Sequence, residues 1–416
     1  MISVAEALTL VERHTPPRRT QRVPLHKAHG RVLAEDVYAA APSPRFTNSA
    51  MDGFAVRSED CGNDTVLPIV GKSAAGKPFE GRLPRGAAIG ISTGAVLPDG
   101  ADAVVPVEDA ELLIVEGSDA VCPLARVKQG QYVRRQGSEY AQGDALLRSG
   151  TLLNAARVAL LAQNGNEEVA VVALPRVAVV VTGEEIVQDA SALREGAIMD
   201  ANSPMLAAAL AESGAECVFV RRVGDTLEET VQVLREATQI ADIVLTTGGA
   251  SVGEHDALKP AAQTLGFETI FWRVRQKPGK PLLFAKRADT VLFGLPGNPV
   301  SVLMCYKHYV HPMITTLRGL HPKDQRVIGV VSQELVDMTA RRELRAEFVR
   351  VRLDYASNAH AAHTASLLGS ATLPSIIPIE KQESFMLTSL TNADGFVFLE
   401  VSTHLQPGMM IEVVLL

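Results

Sequence analysis

The sequence predicts a multidomain protein of the α/β plus β class, built around a central, mostly parallel α/β domain. Three observations carry this. Between Arg176 and Leu317, unbroken apolar runs alternate with helix-forming segments. Upstream, short apolar runs are broken by Gly and Pro; downstream of His321-Pro322 the helical pattern stops and strand-like segments return. The 416 residues suffice for about three cores of ordinary domain size.

Ser3-Val-Ala-Glu6 has capping-box spacing, and Val4, Leu8 and Val11 follow at helical intervals. A first helix should therefore run to about His14, where Pro16-Pro17 stops it. Val66–Val70, Ala87–Ile91, Ala103–Val107 and Leu112–Val115 read as the short strands of a β module. Val177–Val181 is a continuous apolar strand, and Ser203-Pro204 opens an alanine-rich helix to about Glu212. Cys217–Val223 is a strand, Thr226-Leu-Glu-Glu229 caps a helix to about Gln239, and Ile243–Thr246 is a strand. A helix follows Glu254; Phe271–Val274, Leu282–Phe284 and Val291–Phe293 are further strands; a long helix runs from Pro299 to Leu317. Apolar strands alternating with helices imply a sheet covered on both faces. Right-handed crossovers then line the strand-end loops along one edge, where such folds bind ligands. Val327–Leu335, Ala346–Leu353, Phe396–Glu400 and Met410–Leu415 read as strands of a small β-domain, with Ala356–Pro378 as loop.

Forty basic side chains stand against 47 acidic ones, a formal net charge of −7, with no long basic run. Nucleic-acid binding has no electrostatic footprint here. No stretch approaches the ~18 apolar residues of a membrane span, and Met1-Ile-Ser-Val-Ala-Glu6 lacks the basic and apolar parts of a secretion signal. Cys61, Cys122, Cys217 and Cys305 are scattered and form no CxxC, as expected of reduced thiols. The expectation is a cytoplasmic protein without nucleic-acid or membrane partners. His360-Ala-Ala-His363 has metal spacing but no third ligand nearby, and Trp272 reads as a core residue.

Three glycine-bearing turns carry the chemistry: Val244-Leu-Thr-Thr-Gly-Gly-Ala-Ser-Val-Gly253, Lys277-Pro-Gly-Lys280 and Gly294-Leu-Pro-Gly-Asn-Pro299. Gly248, Gly249 and Gly253 allow positive φ and a close ligand, with their N–H groups forming an anion nest. Lys277 and Lys280 add cations, and Asn298 is placed to cap the long helix, whose start is itself an anion site. The alternative for each is a turn that merely connects two elements. Glu184, Glu185, Asp225 and Asp256 fall near strand ends on the same edge. Singly, each reads as a cap or a solvated carboxylate. Together with a phosphate they suit Mg²⁺, which takes few carboxylates and fills its shell with phosphate oxygens and water.

The chain closely resembles the molybdopterin molybdenumtransferases, known as MoeA in bacteria and as the E domain of gephyrin in animals. The likeness rests on Pro44-Arg-Phe-Thr-Asn-Ser-Ala-Met-Asp-Gly-Phe-Ala55, on Thr93-Gly-Ala-Val-Leu-Pro-Asp-Gly-Ala-Asp102 and on Val133-Arg-Arg-Gln-Gly-Ser-Glu139. Thr182-Gly-Glu-Glu185, Asp200-Ala-Asn-Ser203, Thr246–Asp256, Lys277–Pro281 and Leu295–Ser301 continue it. The resemblance runs from the first helix to the C-terminus. It implies four parts: a linker domain from residues 1–45 and 140–174, a β-rich domain 46–139, a molybdopterin-binding α/β domain 175–321 and a C-terminal β-domain 322–416. It further implies a homodimer whose site lies between the α/β domain of one chain and the C-terminal β-domain of the other. The implied reaction inserts molybdate into adenylylated molybdopterin, with Mg²⁺-dependent cleavage of the diphosphate, yielding molybdenum cofactor and AMP. A molybdopterin adenylyltransferase and a molybdoenzyme are the further partners this implies.

Position by position, the resemblance makes Asp52, Glu185, Asp225, Asp256 and Lys277 the catalytic residues, with Glu185, Asp225 and Asp256 toward the metal. Thr93, Arg134, Gly248, Gly249, Ser251, Gly253, Lys280, Pro296, Gly297, Asn298 and Ser384 become ligand-binding positions. The chain departs from the pattern at Arg273, where lysine is expected, and at Glu139, where aspartate is. Thr-Gly-Glu-Glu replaces Thr-Gly-Asp-Glu, and Glu383 and Phe385 flank Ser384 in place of glycines. Two rival readings are a molybdopterin adenylyltransferase, which is far shorter, and a molybdopterin-binding scaffold or carrier, which has no chemical need of the acids at Asp52, Glu139, Glu185, Asp225 and Asp256.

Overall fold

The structure, a computed structural model, describes residues 1–62, 64–249, 257–321, 326–340, 345–355 and 373–416. Ser251, Gly253, Asp256, His360 and His363 lie outside the described residues. The chain divides into two units, Arg22–Ala170 and Met1–Gln21 together with Val171–Leu416.

Helix α1 (Val4–Arg13) has the predicted capping box: Ser3 Oγ accepts from the Glu6 N–H, and the Glu6 carboxylate accepts from the Ser3 N–H. Its apolar stripe, Val4, Ala7 and Val11, is buried with Val177, Val179 and Val181. The helix thus belongs to the core of the α/β unit and not to a linker segment, because that is where its stripe finds apolar surface.

The unit Arg22–Ala170 is organised by a mixed sheet of β1 (Gly53–Val56), β2 (Leu67–Ser73), β3 (Ala88–Ile91), β4 (Ala103–Pro106), β5 (Ala110–Val115) and β6 (Ser118–Pro123), in the order β4-β1-β3-β2-β6-β5. Both faces are apolar. Phe54 and Val56 enter one cluster with Leu67 and Val121, whereas Ala55 enters another with Ile89, Ile91 and Val104. Helix α2 (Ala155–Asn164) lies in the flanking segments, capped by Asn154 and ended by Gly165 at φ 89°.

The α/β domain is a six-stranded sheet of β7 (Arg176–Thr182), β8 (Glu216–Val223), β9 (Ile243–Thr247), β10 (Glu268–Trp272), β11 (Leu283–Arg287) and β12 (Thr290–Leu295), ordered β8-β7-β9-β12-β11-β10. The first four strands are parallel; β11 and β10 add antiparallel at one side. Alternation along β7 shows why Val177–Val181 is all apolar. Val177, Val179 and Val181 face α1, α3 (Asn202–Glu212), α6 (Pro299–Cys305) and α7 (His311–Leu317). Ala178 and Val180 face α4 (Leu227–Ile240) and α5 (Leu258–Thr264). Two expectations shift here. The long helix is interrupted by a π-turn over Tyr306–Val310. The strand expected at Phe271–Val274 spans Glu268–Trp272 and stops there, because Arg273 sits at φ 69° and ends it.

The C-terminal strands β13 (Arg326–Val331), β14 (Ala346–Asp354), β15 (Ser375–Pro378), β16 (Gly395–Leu399) and β17 (Met410–Leu415) close on themselves in the order β14-β15-β13-β17-β16, with β16 returning to β14. Val331, Val349, Val351, Ile376, Val397, Leu399 and Val413 are buried together in the barrel. Val327–Leu335 is only half strand: Ser332 accepts from the Leu335 N–H and starts α8 (Gln333–Thr339). Ser375–Pro378, read as loop, is a barrel strand. The barrel packs on the helix layer through Val300, Met304, Phe348, Leu390 and Phe396, with the His308 ring 4.9 Å from Phe348.

Gly53 shows how little freedom the first sheet leaves, since a Cβ there would fall 2.0 Å from the Val105 carbonyl oxygen. Gly53→Ala is expected to cost at least about 3 kcal/mol by overpacking, measured as a shift of the denaturant midpoint of the full chain.

Candidate active site

Strand register brings the loops together. Thr182 is opposite Val223, Val181 opposite Thr247, and Thr247 opposite Leu295. The loops after β7, β8, β9 and β12 therefore leave one rim at one level, carrying Gly183–Glu185, Gly224-Asp225, Gly248-Gly249 and Pro296–Asn298.

The glycines there are required. Gly248 has φ 84°, and a Cβ on it would meet Thr182 Oγ1 at 2.7 Å and the Thr182 carbonyl oxygen at 2.8 Å. Thr182 Oγ1 itself donates to the Thr247 carbonyl at 3.2 Å. Gly249 is also left-handed, at φ 61°. A Cβ on Gly297 would lie 3.8 Å from the Gly248 Cα, so the first and third turns approach each other with no side chain between them. Pro296 is buried while Gly297 and Asn298 are exposed. Asn202, in the Asp-Ala-Asn-Ser block, donates from Nδ2 to the Gly297 carbonyl at 2.8 Å. Its positioning role is not legible from the sequence, where the block stands out only through the resemblance.

Glu185 and Asp225 reach the rim. The Asp225 carboxylate faces the Glu184 N–H at 3.4 Å, and the Glu185 carboxylate lies 2.6 Å from where a Gly183 Cβ would be. Asp225 is not a helix cap: Thr226 caps α4, accepting from the Glu229 N–H at 3.3 Å. Both carboxylates are exposed, and no ion pair among the described residues engages either. Two exposed carboxylates flanking one loop beside a nest of amides fit a hard divalent cation that completes its shell with phosphate oxygens. Among the described residues no group of three His, Cys, Asp or Glu side chains forms a metal cage.

The lysine turn lies against α6, at Ser301 and Cys305. Lys277 is half exposed, with Nζ 3.9 Å from Glu347 Oε1 of β14, and Lys280 is exposed. Arg273 is stacked on the Trp272 ring at 4.0 Å, and Lys259 Nζ lies 4.6 Å from the same ring. Trp272 is thus half-buried: it packs against the core cluster of Ala178, Val180 and Leu283, as expected, and carries the two cations on its ring.

One expectation, that Asn298 caps the long helix, is corrected. The Asn298 side chain does not cap α6; its Nδ2 donates to Ser384 Oγ at 2.7 Å. The Val300 N–H donates to the Ser384 carbonyl at 3.2 Å. Ser384 therefore meets the α/β domain of its own chain, because the barrel packs on α6 within the chain. Phe385 is 63% exposed and Glu383 is exposed as well, so neither substituted side chain is driven into this contact. Beneath them Arg350 is fully buried, and its Nε and Nη1 meet no acceptor among the described residues. Burial pulls its pKa down to about 10, and Glu383 opposes that shift.

In the other unit, Asp52 Oδ1 accepts from the Thr93 N–H at 2.9 Å. The Gly94 N–H donates to the Ser49 carbonyl at 2.8 Å, and Asn48-Ser49 pairs with Val133-Arg134. Asp52, Thr93 and Arg134 thus gather around one short ladder. Glu139 is held elsewhere, accepting from Ser43 Oγ at 2.6 Å and Gln163 Nε2 at 3.4 Å. Hollows of about 490 and 480 Å³ lie farther along the helix layer, against α1, α7 and the barrel, and hold none of these residues.

A doubly covered α/β sheet with amides, lysines and acids on one rim, fused to a β-barrel, defines a multidomain α/β plus β protein whose rim chemistry suits an anionic ligand. Three family descriptions match in succession: MoeA N-terminal region (domain I and II) over residues 2–165, probable molybdopterin binding domain over 178–316, and MoeA C-terminal region (domain IV) over 335–416. The molybdopterin molybdenumtransferase of Haemophilus influenzae is 35% identical over 321 residues, covering 77% of this chain and 78% of that protein. That of a Nostoc species is 37% identical over 319 residues, covering 75% and 72%. The molybdopterin biosynthesis moea protein from Pyrococcus horikosii superposes with a TM-score of 0.80 at 29% identity, covering 100% of this chain and 99% of that one. The chain belongs to the molybdopterin molybdenumtransferase family and is an enzyme of the transferase class.

Since a Cβ on Gly248 would strike Thr182, Gly248→Ala is expected to push the glycine turn away from the end of β7 and lower ligand affinity by about tenfold, read by calorimetric titration. Asn298→Ala, which deletes one hydrogen bond, is expected to lower stability by about 1 kcal/mol, read by thermal unfolding.

Proposed function

We propose that this chain inserts molybdate into adenylylated molybdopterin, with cleavage of the diphosphate to release AMP and the molybdenum cofactor. Family membership supports molybdenum transfer to molybdopterin. The observation that carries the finer reading is the meeting of three kinds of group on one rim. Bare amides at Gly248, Gly249 and Gly297 suit phosphate oxygens, Lys277 and Lys280 suit their charge, and Glu185 and Asp225 suit a cation between them.

The chain's own residues divide the work. The glycine turns hold the diphosphate and exclude side chains from its path. Glu347 steadies Lys277, whose ammonium offsets the charge that grows on the departing AMP phosphate. Mg²⁺, when bound by Glu185 and Asp225, supplies charge neutralisation of the diphosphate. Arg350 offers a buried cation with unspent donors beneath the Ser384 segment, chemistry that suits an oxyanion such as molybdate. Asp52, Thr93 and Arg134 are read as ligand-binding residues. A homodimer, a cytoplasmic location, an adenylyltransferase that supplies the substrate and a molybdoenzyme that receives the product complete the proposal.

The test is AMP release from purified protein given adenylylated molybdopterin and Mg²⁺, with and without molybdate. Molybdate-dependent release with active cofactor is expected; tight binding without turnover would make the chain a carrier. Asp225→Ala should cut cofactor formation by about 100-fold while circular dichroism and thermal midpoint stay near wild type. Chelation of divalent metal should abolish AMP release, and added Mg²⁺ should restore it. Release unaffected by chelator would remove the metal from the reading.

A further inference from the structure

The lysine turn stands on a side chain that has no exposure at all. Gln276-Lys277 pairs with Ala346-Glu347 of the barrel, so strand alternation turns Lys277 outward and Gln276 inward. Gln276 is 0% exposed, and a buried amide must find partners or destabilise the fold. It finds three. Nε2 donates to the Gly279 carbonyl at 3.0 Å and to Cys305 Sγ at 3.4 Å, and Oε1 accepts from the Tyr309 hydroxyl. A carbonyl can only accept, so the Gly279 contact fixes which way the amide points.

The turn lies directly on this cluster. Gly279 has φ 90°, and a Cβ on it would fall 2.5 Å from Cys305 Sγ and 2.8 Å from Gln276 Nε2. The N–H groups of Val274 and Leu282 both reach the Lys280 carbonyl at 3.0 Å, closing the turn from the other side. Cys305 and Tyr309 are themselves 0% exposed, one from α6 and one from the π-turn. Burial pushes the Cys305 thiol up to about 12 and raises the Tyr309 phenol as well, so both keep their protons.

We infer that Gln276, locked between Tyr309 and Cys305, is a positioning residue that sets where Lys277 and Lys280 present their ammonium groups. Only the link to phosphate binding rests on the proposed function; the positioning itself does not.

The test uses the full-length chain with Tyr309→Phe, which removes only the hydroxyl, and Gln276→Leu, which removes the amide. Tyr306→Phe is the reference: it deletes another fully buried hydroxyl of the same helix, one that donates to the Ala209 carbonyl and Ser213 Oγ. Three readouts apply: the rate at which an amine-reactive reagent modifies Lys277, amide exchange at Val274 and Leu282, and KM against kcat for adenylylated molybdopterin. In Tyr309→Phe and Gln276→Leu the modification rate should change about fivefold, exchange should quicken about tenfold, and KM should rise about five- to tenfold with kcat within about twofold. Tyr306→Phe should lower the thermal midpoint comparably and move none of these. If Tyr309→Phe and Gln276→Leu behave like Tyr306→Phe, Gln276 is a core residue only and the inference falls. Should Gln276→Leu not fold, Tyr309→Phe decides alone. If even the wild-type chain does not turn over the substrate, the proposed function fails, while modification and exchange still decide the positioning.

Discussion

The rim of the α/β domain depends on one close approach, that of Gly248 to the end of β7. With a Cβ excluded at 2.7 Å from Thr182 Oγ1, the chain can leave β9 only by a left-handed glycine pair. That path keeps side chains out of the space between the end of β9 and the Gly297 turn, where an added Gly297 Cβ would already be in van der Waals contact with Gly248. The same parallel register that sets Thr247 opposite Leu295 makes these turns coincide. An anion site made this way needs no dedicated side chain, because the backbone supplies partial positive charge already oriented by the strands.

The side chains of the site are held less by the sheet than by what the barrel presses against it. The barrel sits on α6 through Phe348 and Phe396, and the contact does two things at once. It brings Ser384 to Asn298, and through the Gln276-Lys277 ladder it ties the lysine turn to Glu347. A pair such as Lys277 and Glu347, half exposed on one side and 3.9 Å apart, adds little to stability. Its consequence is orientation of the ammonium group.

Much of this is legible in residue patterns. The all-apolar run Val177–Val181 of β7 announces burial on both faces, the capping box at Ser3 announces α1, and the glycines at 248, 249 and 297 announce close backbone. Less legible are positions where a side chain answers a distant partner. Asn298 looks like a cap because it precedes Pro299, yet its amide is engaged by Ser384, 86 residues away. Val327–Leu335 looks like one strand because the apolar run Val327–Val331 is soon followed by Leu335, but Ser332 between them bonds the Leu335 N–H and turns the chain into helix. Ser375–Pro378 is too short to show a period and becomes a strand only because β13 and β14 flank it.

By itself, the sequence determined the order and type of the long elements, the rim on which the glycines and acids fall, and the family, since periodicity, turn chemistry and motif blocks are local properties. Tertiary structure alone decided that α1 joins the α/β core, that five C-terminal strands close into a barrel, and that Ser384 meets Asn298 within one chain. It also decided that Gln276 rests beneath the lysine turn. These facts follow from where buried amides and apolar faces find partners far away in sequence, and no local pattern encodes that choice.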